Sequence, residues 1–181
     1  KDALASSGAK GVVKSYPFVP GIDVAGEVIK SKSSKFSEGD KVLATGYKIG
    51  MSEFGGFGEI VHLPDNWIIK MPFINNKNKT AELVTSAIEH EAVLGSAEWV
   101  ESLGYKVNYI PCDNNSLIKT DDVLEQVNPN TKIVSIMLAN NETGVVQPIK
   151  EISHGLKSLE SGLIFHSDAV QAVATTKIDF H

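Results

Sequence analysis

Ile133-Val-Ser-Ile-Met-Leu-Ala-Asn140-Asn141-Glu142-Thr143-Gly144, followed by Leu163-Ile-Phe-His166-Ser-Asp168-Ala-Val-Gln171, decides the fold of the second part of the chain. Each segment is a β-branched, apolar run that ends in polar side chains. Runs of this kind, separated by a helical stretch, read as buried strands of a parallel α/β sheet. In such sheets ligands sit outside the carboxyl ends of the strands. The polar residues there could hold a flat, nitrogen-containing ring.

Working outward, the same alternation of strand and helix covers residues 83–181. Leu83-Val-Thr reads as a strand and Ser86-Ala-Ile-Glu89 as a capping box that opens a helix to about Leu103, with Gly104 at its end. Lys106–Ile110 is the next strand. Thr120 is placed to cap a helix through about Val127. Lys132–Leu138, Ile149–Leu159 and Leu163–Ser167 follow as strand, amphipathic helix and strand. Repetition of strand and helix predicts a mostly parallel, doubly wound sheet.

Residues 1–73 have a different texture. They hold ten of the fifteen glycines and nine Lys against eight acids; residues 74–181 hold eight Lys against fourteen acids. Val24–Lys30, Lys41–Thr45 and Glu59–Leu63 alternate as half-buried strands, with Ser37–Asp40 as a turn. Short strands between Gly and Pro predict barrel or sandwich material. The polar stretch 74–82 reads as a linker or fusion seam.

Composition narrows the function. The net charge of −5 gives no bulk attraction to nucleic acid or to an anionic membrane surface. No run approaches the ~18 apolar residues of a membrane span. Every cationic side chain besides His is Lys, so no bidentate Arg clamp for a carboxylate or phosphate is available. The single Cys112 allows no intrachain disulfide and points to a reducing compartment, cytoplasmic or mitochondrial. It is expected to act as a small buried hydrophobe.

Four residues form the candidate site, each with a bland alternative. His90, in the first turn of a helix, could stack on an aromatic ring or simply be a surface His. Asp168, at a strand end, could pair with a protonated ring nitrogen or cap the next helix. Gln171, three residues on, shares its face if that turn is helical. Asn141 could donate to a ring oxygen or be a turn residue. Gly55-Gly-Phe-Gly58 does not make a nucleotide loop, because it precedes a strand and no G-x-G-x-x-G fits.

Residues 83–180 resemble the cysteine desulfurase and selenocysteine lyase group of class V aminotransferases, pyridoxal phosphate enzymes of fold type I. The resemblance is carried by Thr85-Ser-Ala-Ile-Glu-His90-Glu-Ala-Val, Ser135-Ile-Met-Leu-Ala-Asn-Asn-Glu-Thr-Gly-Val-Val-Gln-Pro148 and His166-Ser-Asp-Ala-Val-Gln-Ala172. It implies that His90 stacks on the pyridine ring, that Asp168 binds the ring nitrogen, and that Gln171 and Asn141 contact the ring hydroxyl. The family's cofactor-attaching Lys would fall beyond His181, and Lys177 stands too early for it. The family's phosphate loop has no counterpart in 74–82. Its substrate-binding Arg and its sulfur-accepting Cys loop have none either.

Residues 1–72 resemble zinc-free medium-chain reductases of the acrylyl-CoA reductase and quinone oxidoreductase group. The matching text is Lys1-Asp-Ala-Leu-Ala5, Tyr16-Pro-Phe-Val-Pro-Gly-Ile-Asp-Val-Ala-Gly26, Gly39-Asp-Lys-Val-Leu-Ala-Thr-Gly46 and Gly55-Gly-Phe-Gly-Glu59. Ile22-Asp23 stands where zinc-dependent relatives have His-Glu. With no Cys in this half, no metal site is expected. The resemblance implies part of a GroES-like β-barrel without its NADPH-binding domain, and no catalytic role for Lys1 or Asp2.

The expected architecture is thus a partial GroES-like barrel (1–73), a seam (74–82) and a partial α/β sheet of the pyridoxal phosphate transferase type (83–181). The expected function is a fragment of a cysteine desulfurase or selenocysteine lyase fused to part of an NADPH-dependent reductase, not competent in catalysis alone. Two alternatives stand beside it: a quinone or acrylyl-CoA reductase relative, and a non-enzymatic fusion or gene-model artefact. Open sheet edges predict self-association or aggregation.

Overall fold

The computed structural model describes residues 2–8, 11, 13, 15–76, 78–159, 162–173 and 176. Lys1 and Lys177, both weighed above, lie outside the described residues. The chain divides into two compact units, Lys1–Asn75 and Asn76–His181.

The first unit opens with a short helix, α1 (Asp2–Ser6), and is built on an antiparallel sheet. Strands β1 (Asp23–Glu27), β2 (Lys41–Thr45) and β3 (Ile69–Lys70) lie in the order β1-β2-β3. The predicted turn before β2 is present: Asp40 N donates to Ser37 O at 3.1 Å, and Ser37 N donates to Asp40 Oδ2 at 2.7 Å. Lys70 completes the corner, 2.6 Å from Asp40. Trp67 stacks on Tyr47 with centroids 5.1 Å apart.

The expected strand at Glu59–Leu63 does not form; these residues run as bends and irregular chain. Its alternation is genuine, but alternation only marks which side chains can share a face. A strand also needs a partner for its backbone groups. Among the described residues this segment has none, and Ile60 is 74% exposed.

The second unit is a parallel sheet with helices on its faces. Strands β4 (Glu82–Ser86), β5 (Lys106–Ile110), β6 (Thr131–Ser135) and β7 (Ile164–His166) lie in the order β5-β4-β6-β7, all parallel. Helices α2 (Glu91–Ser102), α3 (Thr120–Glu125) and α4 (Ile149–Ser158) make the connections. The chain leaves β4 toward β5, then returns to the other side of β4 to form β6 and β7. The direction of winding reverses between β4 and β6, which is the topological switch point.

One face of the sheet holds the core. Val84, Val134 and Ile110 pack there with Ile118, Val123, Ile136, Ile152 and Leu156, and Cys112 lies half-buried against them. This is the face covered by α3 and α4, which meet where Gly155 lies against Leu124; a Cβ at 155 would come within 2.6 Å of Leu124 Cδ1. The opposite face carries Thr85 and Ser135, paired in register. By the period of two, Leu83 and Ile133 share that face with them, so both faces of the buried strands are largely apolar.

Several boundaries differ from expectation by local chemistry. Ser86 does not open a helix; it is the last residue of β4, and its hydroxyl donates to Glu89 Oε1. The cap of α2 is His90, whose Nδ1 accepts from Ala92 N at 3.1 Å. A box needs its Ser hydroxyl next to the first helical amides, and α2 begins only at Glu91, so the Ser86 hydroxyl bonds the Glu89 side chain instead. Gly104 does close the α2 end, with φ +86° and its N–H on Glu101 O at 2.8 Å. Thr120 is the first helical residue of α3 rather than its cap, a position held by Lys119 without a side-chain bond. β6 ends at Ser135, yet Ile136 N and Leu138 N continue the ladder to His166 O and Asp168 O at 3.1 and 2.8 Å.

Candidate functional site at the strand ends

The loops after β4, β6 and β7 are tied together at the switch point. Asn140 is 8% exposed, and its Nδ2 donates to Ile88 O at 2.8 Å. Its Oδ1 accepts from Glu142 N, Thr143 N and Thr143 Oγ1 at 3.0, 2.8 and 3.1 Å, folding the turn that presents Asn141. Met137 N donates to Glu89 Oε1 at 2.8 Å. Leu138 N reaches Asp168 O at 2.8 Å. These bonds place His90, Asn141 and Asp168 each within three residues of a direct link between two strand-end loops.

His90 is exposed at the head of α2, its ring oriented by the bond to Ala92 N. Since Nδ1 accepts, the ring's proton is on Nε2. Asn141 is exposed on the turn organised by Asn140. Asp168 is half-buried; Oδ1 accepts from Val170 N at 2.9 Å, so the capping role weighed from sequence is realised by that oxygen. Among the described residues no donor is bonded to Oδ2. Gln171 is exposed in a turn where Val173 N reaches Ala169 O at 3.1 Å, an i to i+4 bond of helical type.

Two residues escaped the reading from sequence. Asn140 was passed over for its neighbour, although an Asn two and three residues ahead of free amides is an Asx-turn former. Glu89 was taken as half of a capping box. It is in fact buried, 5% exposed, under the crevice. Burial pushes its carboxyl above the usual range against the opposing bonds from Ser86 and Met137, and the charge of Asp168 adds to the rise.

The residues present suit a protonated heteroaromatic ring. Asp168 supplies an anion with a free oxygen beside Ser167, whose buried hydroxyl has no partner among the described residues. A bound polar group would complete such a site. Among the described residues no cluster of three His, Cys, Asp or Glu could hold a metal ion, and no helix is long and apolar enough to cross a membrane.

Asn140→Ala is expected to cost about 2 kcal/mol, because it strips donors and acceptors that are buried. The amides of Glu142 and Thr143 should lose protection in hydrogen exchange, while those of β5 keep theirs.

A parallel α/β unit with polar side chains gathered at its switch point is the arrangement of the pyridoxal phosphate transferase fold. Residues 66–181 match the aminotransferase class-V family, and the chain belongs to that family. Residues 2–73 match the alcohol dehydrogenase GroES-like domain. The cysteine desulfurase IscS of Methanosarcina thermophila is 43% identical over 115 residues, covering 64% of this chain and 28% of that protein. A probable mitochondrial cysteine desulfurase of Dictyostelium discoideum is 43% identical over 103 residues, covering 57% of this chain and 22% of that protein. Among solved structures, a NifS-like protein superposes with a TM-score of 0.57 at 30% identity, over 60% of this chain and 30% of that one. The chain thus spans about a quarter of the length of the curated relatives that it matches.

Proposed function

We propose that the second unit is the ring-holding part of a cysteine desulfurase-type cofactor domain, in a cytoplasmic setting or in a mitochondrial one like that named for the Dictyostelium discoideum relative. The observation that carries this is the knitting of three strand-end loops at the switch point, with Asp168 half-buried beside a buried hydroxyl that has no partner among the described residues. Pyridoxal phosphate bound there would supply an electron sink for bond breaking at a substrate amino acid's α-carbon. Asp168 Oδ2 would accept a hydrogen bond from the protonated ring nitrogen and so keep the proton on the ring. His90 would cover one face of the ring and exclude water from it. Asn141 and Gln171 would orient the ring hydroxyl. The selenocysteine lyase reading shares all four residues and differs only in substrate.

No residue among these four attaches the cofactor, so the reading extends to holding the ring and not to turnover by these 181 residues. Titration of the chain with pyridoxal phosphate, followed by absorbance, tests it. Binding is expected to be noncovalent, with no label retained after borohydride reduction. Asp168→Ala is expected to weaken it at least about tenfold through loss of the charge-assisted bond. Equal affinity in the variant would remove Asp168 from the role, and a borohydride-fixed label would overturn the noncovalent reading.

A further inference from the structure

One buried acidic group among the strand-end loops is not accounted for by the ring-holding residues. Glu89 lies 5% exposed in the loop between β4 and α2. Its Oε1 accepts from Ser86 Oγ at the end of β4 and from Met137 N beyond β6. Its Oε2 is buried and has no hydrogen-bond partner among the described residues. An ionised carboxylate needs donors on both oxygens when it is removed from water; a neutral carboxyl group demands far less. The charge that acts on it is that of Asp168, after β7, which is of like sign. Among the described residues its hydrogen-bond partners are the Ser86 hydroxyl and the Met137 backbone amide. Its chain neighbour His90 has Nδ1 engaged by Ala92 N. Among the described residues no cation is paired with it.

We infer that Glu89 is a positioning residue: a neutral, protonated carboxyl that clamps the loop after β4 to the segment after β6 and so sets His90 and Asn141 in place around Asp168. The second bond across the same gap, Asn140 Nδ2 to Ile88 O, is only one residue from Glu89. Two adjacent links, one from each side, fix orientation as well as distance. Keeping Glu89 neutral leaves Asp168 as the anion of the pair, which is the charge that a protonated ring nitrogen requires. That a ring is what the positions serve rests on the function proposed above. The clamp itself does not.

The whole chain, labelled with 13C at glutamate carboxyls and with 15N, tests both parts. The Glu89 carboxyl resonance, assigned by its loss in Glu89→Gln, should remain at the neutral-acid position above pH 4.5, the ordinary value for a glutamate. Ionisation at or below that value would overturn the neutral state. Glu89→Gln keeps an acceptor for Met137 N and a neutral group, so the amide signals of His90, Met137 and Asn141 should stay near their wild-type positions. Glu89→Ala should move all three; unmoved signals would overturn the clamp. With pyridoxal phosphate as probe, Glu89→Gln should bind within about twofold of wild type and Glu89→Ala about tenfold more weakly, the size of one buried hydrogen bond lost. Equal affinity of Glu89→Ala and wild type would overturn the positioning role. No binding by the wild-type chain would refute the ring-holding function, while the two resonance measurements would still decide whether Glu89 is a neutral clamp.

Discussion

Gly55→Ala is expected to destabilise the first unit by about 3 kcal/mol or more, the range of severe backbone clashes. A Cβ at this position would lie 2.3 Å from Pro20 O, 2.4 Å from Pro20 C and 2.5 Å from Gly21 O. All three are backbone atoms, so no side chain can swing aside. The close approach exists because the two segments bond to each other directly. Gly55 N donates to Val19 O at 2.7 Å, Gly56 N to Gly21 O at 2.9 Å and Phe57 N to Pro20 O at 3.1 Å. Separating the segments to admit a methyl group strains or breaks all three bonds. Trp67 lies in this unit and Trp99 in the other, so fluorescence with Trp99 replaced by Phe reports the loss in a urea titration. Gly26→Ala, in β1 of the same unit, is the control. It sits exposed with nothing within 4 Å of a new Cβ, and should gain up to about 1 kcal/mol from the lost flexibility of glycine. Equal midpoints for Gly55→Ala and wild type would contradict the close approach.

Glu82→Ala is expected to cost the second unit about 3 kcal/mol near neutral pH, from three bonds to one charged acceptor. Glu82 Oε2 accepts from Lys106 Nζ and Asn108 Nδ2 at 3.1 Å and from Asn128 Nδ2 at 3.0 Å. The carboxylate thereby joins β4 to β5 and to the turn before β6, at the amino ends of the strands. Burial by itself would raise its pKa, but the bonds from Asn128, Lys106 and Asn108 outweigh that and hold it below its usual 4.5. The sign follows from linkage. A folded pKa below the unfolded one gives stability that is present above pH 4.5 and is lost as pH falls through the lowered value. The difference between wild type and Glu82→Ala should therefore shrink on acidification in that window and be flat above it. Because this edge is opposite the ring site, pyridoxal phosphate affinity should be unchanged in the variant. A constant difference down to low pH would show that the carboxylate's charge is not what these donors recognise.

The sequence was most legible where the relevant information is local. All four parallel strands were placed, their ends within a few residues, because β-branched apolar runs bounded by turn residues report burial directly. The helix stop at Gly104 was legible for a similar reason, since a left-handed residue after a helix is a local requirement. Asn141, Asp168 and Gln171 stand in the sequence as polar groups after strands and His90 as one at a helix start; the roles expected of them come from resemblance. The loop chemistry around them was not. Ser86 and Glu89 stand three apart as a capping box does, yet β4 runs to Ser86, the helix begins only at Glu91, and His90 caps it instead. Glu59–Leu63 has the alternation of a strand without a partner for its backbone.

What the sequence determined by itself is the kind of each unit and which residues end its strands, since periodicity and turn chemistry act over a handful of neighbours. What only the tertiary structure decided is which distant groups meet. Glu89 is an ordinary acidic residue until the order β5-β4-β6-β7 brings Met137 N, 48 positions away, onto its carboxyl. Gly55 is one glycine among fifteen until the chain near Pro20 passes 2.3 Å from where its Cβ would be. Strand order and close backbone approach are set by packing of the whole sheet, and no local window of sequence contains them.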